Sequence, residues 1–129
     1  MTFDTSLIPF AKTLGVEITE ASPERVVGKL LVRPELCTSG STLHGGAVMS
    51  LADSLGAVGA FLSLPPGSRG TTTLESKTNF LSAAKVNTTV TAEPTPVHSG
   101  KRTGVWQTKI TSEDGKAIAL VIQTQLVLT

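Results

Sequence analysis

The amino-acid sequence of 129 residues predicts an α+β protein in which an antiparallel β-sheet wraps around one long central helix. Two observations predict this fold. The middle of the chain holds a long apolar segment with helical spacing, and four strand-like runs follow it, with turn sequences such as HSGKR and EDGK between them. Strands joined by tight turns run antiparallel, and the pattern has no crossover helices of the kind that a doubly wound parallel sheet requires.

Composition and charge indicate one compact domain over residues 1–129. Apolar residues make up 40% of the chain and charged residues 16%, and the formal charge is +1 without a basic block, which gives no support for binding to nucleic acid or a membrane. The single cysteine excludes an intrachain disulfide, and two distant histidines give no metal-ligand spacing. The N-terminus lacks the basic leader and apolar core of a signal peptide, so we expect a cytoplasmic protein.

The N-terminal part of the chain predicts one short helix and two strands. A helix from Asp4 to Leu14, ended by Gly15, places four apolar residues on one face. These are Leu7, Phe10, Ala11 and Leu14. Such a helix tolerates Pro9 only in its first turn. Two apolar runs on either side of the Ser22–Pro23 turn then predict a pair of strands.

A loop rich in Ser, Thr and Gly (ELCTSGSTLHGG) leads into the long helix, which we predict at about residues 46–63. Five apolar residues recur along one side of it at the helical period: Val48, Leu51, Leu55, Val58 and Leu62. The opposite side carries Met49, Gly56, Ala57 and Ala60. Because neither side is polar, we expect the helix to be enclosed. Asp53 and several Ser and Gly residues interrupt the run, which argues against a membrane span.

Four strand-like runs follow the helix, at residues 71–81, 88–97, 102–111 and 117–128. Alternation between two faces is clear in the third run, in which Val105, Gln107 and Lys109 alternate with Trp106, Thr108 and Ile110. Pro94 and Pro96 indicate that the second run is irregular or exposed at its end, because proline has no N–H to donate to a neighbouring strand.

Two features of the central helix indicate a functional site. Asp53 is the only charged side chain between Gly45 and Ser68, and a carboxylate held away from water has to be hydrogen-bonded, protonated or functional. Gly45 and Gly46 leave backbone N–H groups uncovered at the positive end of the helix, which suits a carbonyl oxygen that becomes an oxyanion. A structural alternative stays open at each place: a satisfied Asp53, and a glycine pair that starts a helix capped by His44.

Other candidate groups carry less weight. Glu75 lies on a half-exposed strand, where an ion pair with Lys77 explains it, and Cys37 has no basic activator nearby and is expected to be a small buried residue. Three serines lack a nucleophile-elbow context: Ser50, Ser54 and Ser82. The turn SGKR at residues 99–102 offers two cations and backbone N–H groups to a phosphate, although an ordinary hairpin turn explains this fragment better on its own.

The segment STLHGGAVMSLADSLG, together with FLSAAK and the SGKR hairpin, resembles the acyl-CoA thioesterases of the hotdog fold. The similarity is to the phenylacetate-degradation type of the 4-hydroxybenzoyl-CoA thioesterase superfamily, and it extends from about Gly15 to the C-terminus. His-Gly-Gly followed by an acid at this spacing is its specific part. The hotdog fold agrees with the sheet and helix predicted from the pattern.

This resemblance implies an enzyme that hydrolyses an aryl- or medium-chain acyl-CoA to a free acid and CoA, without a metal or redox cofactor. Asp53 matches the family's catalytic carboxylate, which acts as a nucleophile or as a general base on water. The backbone N–H of Gly45 matches the group that polarises the thioester carbonyl. His44 matches a residue that shapes this turn, and Thr73 matches a position where a hydroxyl orients the attacking water.

The resemblance also implies how CoA and other subunits are bound. Lys101 and Arg102 match positions that contact the CoA nucleotide, and we group Gly100 and Ser82 with them as CoA-binding residues. The family forms homodimers, often paired into homotetramers, with active sites at the subunit interface. In each site Gly45 belongs to the subunit opposite the acid. We expect neither a nucleic acid nor a membrane as a partner.

One position departs from the family. Many relatives carry Asn or Gln six residues before the histidine, where the amide orients the acid or the thioester. This chain has Thr38, whose shorter hydroxyl needs help from a water, Ser39 or Ser41. The departure leaves a second hypothesis open, a non-catalytic module that binds or senses acyl-CoA, against which the retained Asp53 argues. A hydratase of the same fold needs a histidine beside the acid, and nothing in the sequence pairs His98 with Asp53.

Overall fold

The computed structural model describes residues 3–129 and contains a six-stranded antiparallel sheet with one long helix against it. The elements in chain order are α1 (Pro9–Leu14), β1 (Glu17–Ala21), β2 (Val26–Leu31), β3 (Cys37–Thr38), β4 (Thr42–Leu43), α2 (Gly45–Leu62), β5 (Gly70–Phe80), β6 (Thr89–Ser99), β7 (Thr103–Thr111) and β8 (Ala117–Leu128). The sheet order is β1-β2-β6-β7-β8-β5, and β3 pairs only with β4. The predicted α+β architecture is confirmed.

The N-terminal helix differs from the prediction. A 3₁₀ turn at Thr5–Leu7, capped by the Asp4 side chain, precedes α1, and Ile8 between them has an extended backbone. Proline lacks an N–H and restricts the residue before it to extended conformations, so Pro9 can only be the first residue of a new helix. The continuous helix predicted over residues 4–14 is therefore wrong.

The long helix α2 is confirmed to within one residue at each end. Its apolar stripe packs on one face of the sheet, where glycines permit two close approaches: a Cβ at Gly28 would lie 2.6 Å from the Leu55 side chain, and one at Gly59 would lie 2.6 Å from the Trp106 ring. By length and mean hydropathy α2 could span a membrane, but half of it is buried inside the fold, in the position of a core helix.

One side of α2, which borders the sheet at Asp53, is left uncovered. Met49 and Phe61 keep 42% and 54% of their surface exposed, and Asp53 between them is exposed as well. The prediction that α2 is enclosed is therefore wrong for a single copy of the chain, because the sheet covers only one side of the helix. An apolar helix face with one carboxylate on it is left facing outward.

The strands after α2 are antiparallel as predicted, but their order in the sheet differs from their order in the chain. β6, β7 and β8 form a meander through the two predicted turns, whereas β5 pairs along β8 and forms an edge. Pro94 and Pro96 lie in β6 beyond Ala92, the last residue that pairs with β2, and the strand is bulged just after Pro96. The irregularity predicted there is confirmed.

Candidate active site

The His44 side chain caps the start of α2, where one backbone N–H group is left free. Nδ1 of His44 accepts a hydrogen bond from the Gly46 N–H at 2.8 Å, and the His44 carbonyl accepts from the N–H groups of Ala47 and Val48. Among the residues that the structure describes, the Gly45 N–H donates to nothing. This free donor at the positive end of the helix is suited to stabilise an oxyanion.

A cavity of about 310 Å³ opens beside this free N–H. Phe80 lines the cavity and lies so near that a Cβ at Gly45 would come within 3.3 Å of its ring. Leu81 and Ser82 line the same cavity, and the Ser82 hydroxyl donates to the carbonyl of Ala117. The FLSAAK segment is therefore next to Gly45.

Asp53 lies on the uncovered side of α2 and is held through one carboxylate oxygen. Oδ1 accepts from Thr73 Oγ1 at 2.7 Å and from Gln123 Nε2 at 3.1 Å, whereas Oδ2 has no partner within the described part of the chain. The expectation that Asp53 is buried is wrong for the single chain, in which the residue is exposed. A carboxylate fixed at one oxygen and open at the other can attack an electrophile or accept a proton.

Two buried glutamines of β8 complete the surroundings of Asp53, and the sequence analysis missed both. Gln123 and Gln125 are 0% and 1% exposed. Gln125 Nε2 donates to Thr73 Oγ1 at 2.6 Å, and Gln125 Oε1 accepts from Thr71 Oγ1 at 2.9 Å. A signal for them existed: the two glutamines are two residues apart in a largely apolar strand, so they share one face of it.

A glycine of α2 makes room for the first of these glutamines. A Cβ at Gly56 would lie 2.0 Å from Gln123 Oε1 and 2.5 Å from its Cδ. The same Oε1 is buried and has no hydrogen-bond partner among residues 3–129. The amide therefore fits tightly between helix and sheet, with its NH₂ group on Asp53 and its oxygen against the helix.

The residues predicted to bind the CoA nucleotide lie at the other end of α2. Lys101 and Arg102 are exposed in the turn between β6 and β7. Gly100 of this turn lines a small cavity together with Ser63, which caps the C-terminal end of α2. Because the 18 residues of α2 span about 27 Å, one chain does not bring this turn close to Gly45.

The remaining candidates lie apart from Asp53 or are explained locally. Thr38 is exposed on β3, and its side chain makes no hydrogen bond within the described residues. Cys37 is half-buried rather than buried, and its thiol donates to the Arg33 carbonyl. Glu75 is exposed, and the expected ion pair with Lys77 is not formed within residues 3–129. Over the same residues no cluster of three or more His, Cys, Asp or Glu is suited to hold a metal ion.

Known proteins share both the sequence pattern and the fold. The family model of the thioesterase superfamily matches residues 40–119. A 1,4-dihydroxy-2-naphthoyl-CoA hydrolase from Listeria monocytogenes is 34% identical over 109 residues, which cover 84% of this chain and 87% of the relative. The acyl-coenzyme A thioesterase PaaI from Escherichia coli is 30% identical over 112 residues, 85% of this chain and 76% of the relative. The solved structure of a thioesterase from Haemophilus influenzae matches with a TM-score of 0.87 at 26% identity and covers 100% of this chain and 93% of that one.

The matched region contains the helix start, Asp53 and the strand that carries Thr73. It is longer than half of the chain, and both relatives match over most of their own length. The solved relative shares the fold over the whole of this chain, at a TM-score of 0.87. The chain therefore belongs to the thioesterase superfamily, and it is a thioester hydrolase with the hotdog fold.

Proposed function

We propose that this thioester hydrolase cleaves acyl-CoA thioesters to a free acid and CoA, with Asp53 as the reacting carboxylate. The observation that carries the proposal is the state of Asp53: Oδ1 is held by Thr73 and Gln123, and Oδ2 is free on an exposed helix face. The names of the relatives from Listeria and Escherichia coli, which both refer to CoA thioesters, support the choice of CoA as the carrier.

Two routes fit a carboxylate in this position. In the first, an Asp53 oxygen attacks the thioester carbonyl carbon, the C–S bond breaks, CoA leaves as a thiolate that takes a proton, and water then hydrolyses the mixed anhydride. In the second, Asp53 takes a proton from water while that water attacks the carbonyl; the C–S bond then breaks, and CoA leaves as a thiolate that takes this proton. Both routes develop negative charge on the carbonyl oxygen and use only water and the chain's own groups, so we expect no metal or redox cofactor.

The oxyanion donor that we propose is the Gly45 N–H of a second copy of the chain. Gly45 and Asp53 are eight residues apart in one helix, which separates them by about 12 Å along the axis. This distance is too long for both to act on one carbonyl group. A site that uses both groups therefore needs a partner copy whose α2 starts close to Asp53.

Features of the protomer support a homodimer formed through β5 and the open side of α2. β5 is an edge strand of eleven residues with Leu74 and Phe80 exposed, and Met49 and Phe61 are exposed on α2. If two β5 edges pair antiparallel about a twofold axis, the two α2 helices also run antiparallel. The start of one helix then approaches the later part of the other.

The same pairing explains why three of the predicted CoA residues, Gly100, Lys101 and Arg102, lie far from Gly45 within one chain. The turn with Lys101 and Arg102 is next to the end of α2, so in an antiparallel pair it comes toward the Gly45 of the other copy. Its two cations can then bind the CoA phosphates. We expect an aryl or medium-chain acyl group to contact the exposed apolar side chains of Met49 and Phe80. Further pairing into a tetramer and the cytoplasmic location stay predictions.

A thiol-release assay over aryl- and straight-chain acyl-CoAs tests the reaction. Asp53→Asn should lower kcat by about 100-fold or more, because it removes both the nucleophile and the base while it keeps the shape. Asp114→Asn is the matched control, the same change in an exposed turn away from α2, and should leave kcat unchanged. Equal turnover of Asp53→Asn and wild type would make Asp53 structural. If no substrate is hydrolysed but acyl-CoAs raise the Tm, the chain is a binding module.

A complementation experiment tests the shared site. Proline is accepted at the first position of a helix, so Gly45→Pro removes the N–H and keeps the helix start. Gly45→Pro and Asp53→Asn should each be inactive alone. After the two variants are refolded together, random mixed dimers with one intact site should restore about a quarter of wild-type activity. A mixture in which mixed dimers form without activity would contradict a site shared between copies.

A further inference from the structure

We propose that Gln123 and Gln125 are positioning residues that act on the reaction through Asp53. This inference rests on the proposed function. It adds two residues behind Asp53 and Thr73 that were not among the predicted site residues. Neither glutamine presents surface to a substrate, because Gln123 is 0% and Gln125 is 1% exposed. Their effect is to hold one carboxylate oxygen of Asp53 so that the other is presented outward.

Both glutamines are large polar side chains buried in the core of the fold. An uncharged amide taken out of water costs free energy unless both of its ends find partners, and large polar side chains are uncommon in a core. Of the buried residues of the described chain, only Thr108 and these two glutamines are polar, whereas the positions before them on the same face of β8 are Ala119 and Val121. An apolar side chain at either glutamine position would extend the core without this cost.

The hydrogen bonds that join Gln125, Thr73 and Asp53 have a defined direction. Thr71 Oγ1 lies 2.9 Å from two acceptors, Gln125 Oε1 and the Leu126 carbonyl oxygen, so it does not fix the amide by itself. The carboxylate oxygen of Asp53 can only accept, so Thr73 donates to it, and Gln125 therefore presents Nε2 to the Thr73 oxygen. Because the Thr73 oxygen accepts from Gln125, its own proton is free to go to Asp53 Oδ1 at 2.7 Å. The chain of donors thus ends on the carboxylate, where Gln123 adds a second donor at 3.1 Å.

The side-chain oxygen of Gln123 is unpaired, in contrast to its NH₂ group. Oε1 is buried without a partner among the described residues and faces Gly56, where no side chain could fit. An amide kept only for folding would be expected to satisfy both of its ends. Turning the amide over would place its oxygen against the Asp53 carboxylate, which repels it. The arrangement therefore favours a donor on Asp53 over a satisfied amide, which is what a positioning role requires.

Methionine substitutions test the proposal, since methionine has nearly the volume of glutamine and no donor. Gln123→Met and Gln125→Met should each lower kcat about 10- to 100-fold at nearly unchanged KM, because a loosened Asp53 affects the reaction and not CoA binding. The double variant should be less than about twofold slower than the slower single variant, because both residues act on one carboxylate. Gln107→Met is the control. It is the same change in β7, on the other face of the sheet from Gln123 and Gln125, and it should keep the wild-type kcat.

The outcomes separate this inference from the proposed function. If Asp53→Asn is slow but both methionine variants fold and keep the wild-type kcat, the positioning role is refuted and the proposed function stands. If Asp53→Asn retains turnover, the proposed function fails first. Additive losses in the double variant, or losses in KM alone, would also refute the positioning role. Should the methionine variants not fold, Thr71→Val removes the first donor at equal volume, and a kcat lowered about fivefold supports the relay while an unchanged kcat refutes it.

Discussion

One added methyl group at Gly56 tests both the packing of α2 and the hold on Asp53. A Cβ there would lie 2.0 Å from Gln123 Oε1, and ordinary contact begins at 3.4 Å, so the oxygen has to retreat by about 1.4 Å. Asp53 and Gly56 are three residues apart on the same face of α2. A retreat from Gly56 therefore also moves Gln123 Nε2 away from Asp53 and stretches the 3.1 Å hydrogen bond beyond its useful range.

The stability effect of Gly56→Ala follows from three contributions. Overpacking a buried site costs about 1–3 kcal/mol. The lost hydrogen bond to a carboxylate costs about 1.5–3 kcal/mol in a dry site, and less here because water reaches the exposed Asp53. Alanine in place of glycine inside a helix returns about 1 kcal/mol. The free energy of unfolding should fall by about 2 kcal/mol, which lowers Tm by about 8 °C for a chain of this size.

The assay combines thermal unfolding at a fixed protomer concentration with thiol release from an acyl-CoA. Gly56→Ala should lower both Tm and kcat. The paired variant Gly56→Ala with Gln123→Val removes the obstructing amide, so most of the lost Tm should return while kcat stays low, because Asp53 keeps Thr73 as a donor but still lacks the Gln123 donor. A Gly56→Ala variant with the Tm and kcat of the wild type would mean that Gln123 has room to spare, and the steric reasoning would be refuted.

Three further predictions concern other parts of the fold. Gly15 ends α1 with φ of 90°, so Gly15→Ala should lower the free energy of unfolding by about 1 kcal/mol; an unchanged urea midpoint would contradict this. Lys101→Ala combined with Arg102→Ala should raise KM for acyl-CoA and weaken its salt dependence at a nearly constant kcat; an unchanged KM in thiol release at two ionic strengths would remove both residues from the CoA site. The hydrogen bond from Arg25 lowers the pKa of Glu93, so the ion pair stabilises the fold above the ordinary pKa of a glutamate and loses this effect as the pH falls through the lowered value. Arg25→Ala should therefore lower the urea midpoint at neutral pH and not at strongly acidic pH, and an equal loss at both would refute the sign.

The long helix and the alternating strands could be predicted because they depend on neighbouring residues. The apolar period gave α2 at residues 46–63 against the observed Gly45–Leu62. The alternation in β7 correctly put Trp106 and Ile110 on one face of the strand, and the structure shows that this face is the buried one. The coverage of α2 could not be predicted in this way, because whether a helix face is buried depends on elements far away in the chain or on another molecule.

The same distinction applies to the candidate site: some of its residues stand out from their neighbours in the sequence, and others depend on how distant strands pair. Asp53 and Gly45 stood out in the sequence through a lone charge and a glycine pair at a helix start. The glutamines matter only through the register of β5 against β8, and that register shifts at a bulge between Thr73 and Glu75. Thr73 lies opposite Gln125, but after the bulge Ser76 lies opposite Gln123, where an unbroken register would put Glu75. The bulge thus keeps a second acid away from Asp53, and no pattern of residue types in β5 predicts it.

The two edge strands of the sheet, β1 and β5, differ in how readily they can pair with a strand of another molecule. β1 has only five residues, is bulged between Ile18 and Glu20, and carries the exposed Glu17, all of which oppose the addition of another strand. β5 is also bulged, between Thr73 and Glu75, but it is more than twice as long, with eleven residues, and its outer edge is not paired within the described chain. When two β5 edges pair as proposed, the combined sheet has β1 at both ends. Growth by strand addition then stops at two copies, so a chain with a long open edge is directed into a closed particle rather than into a filament.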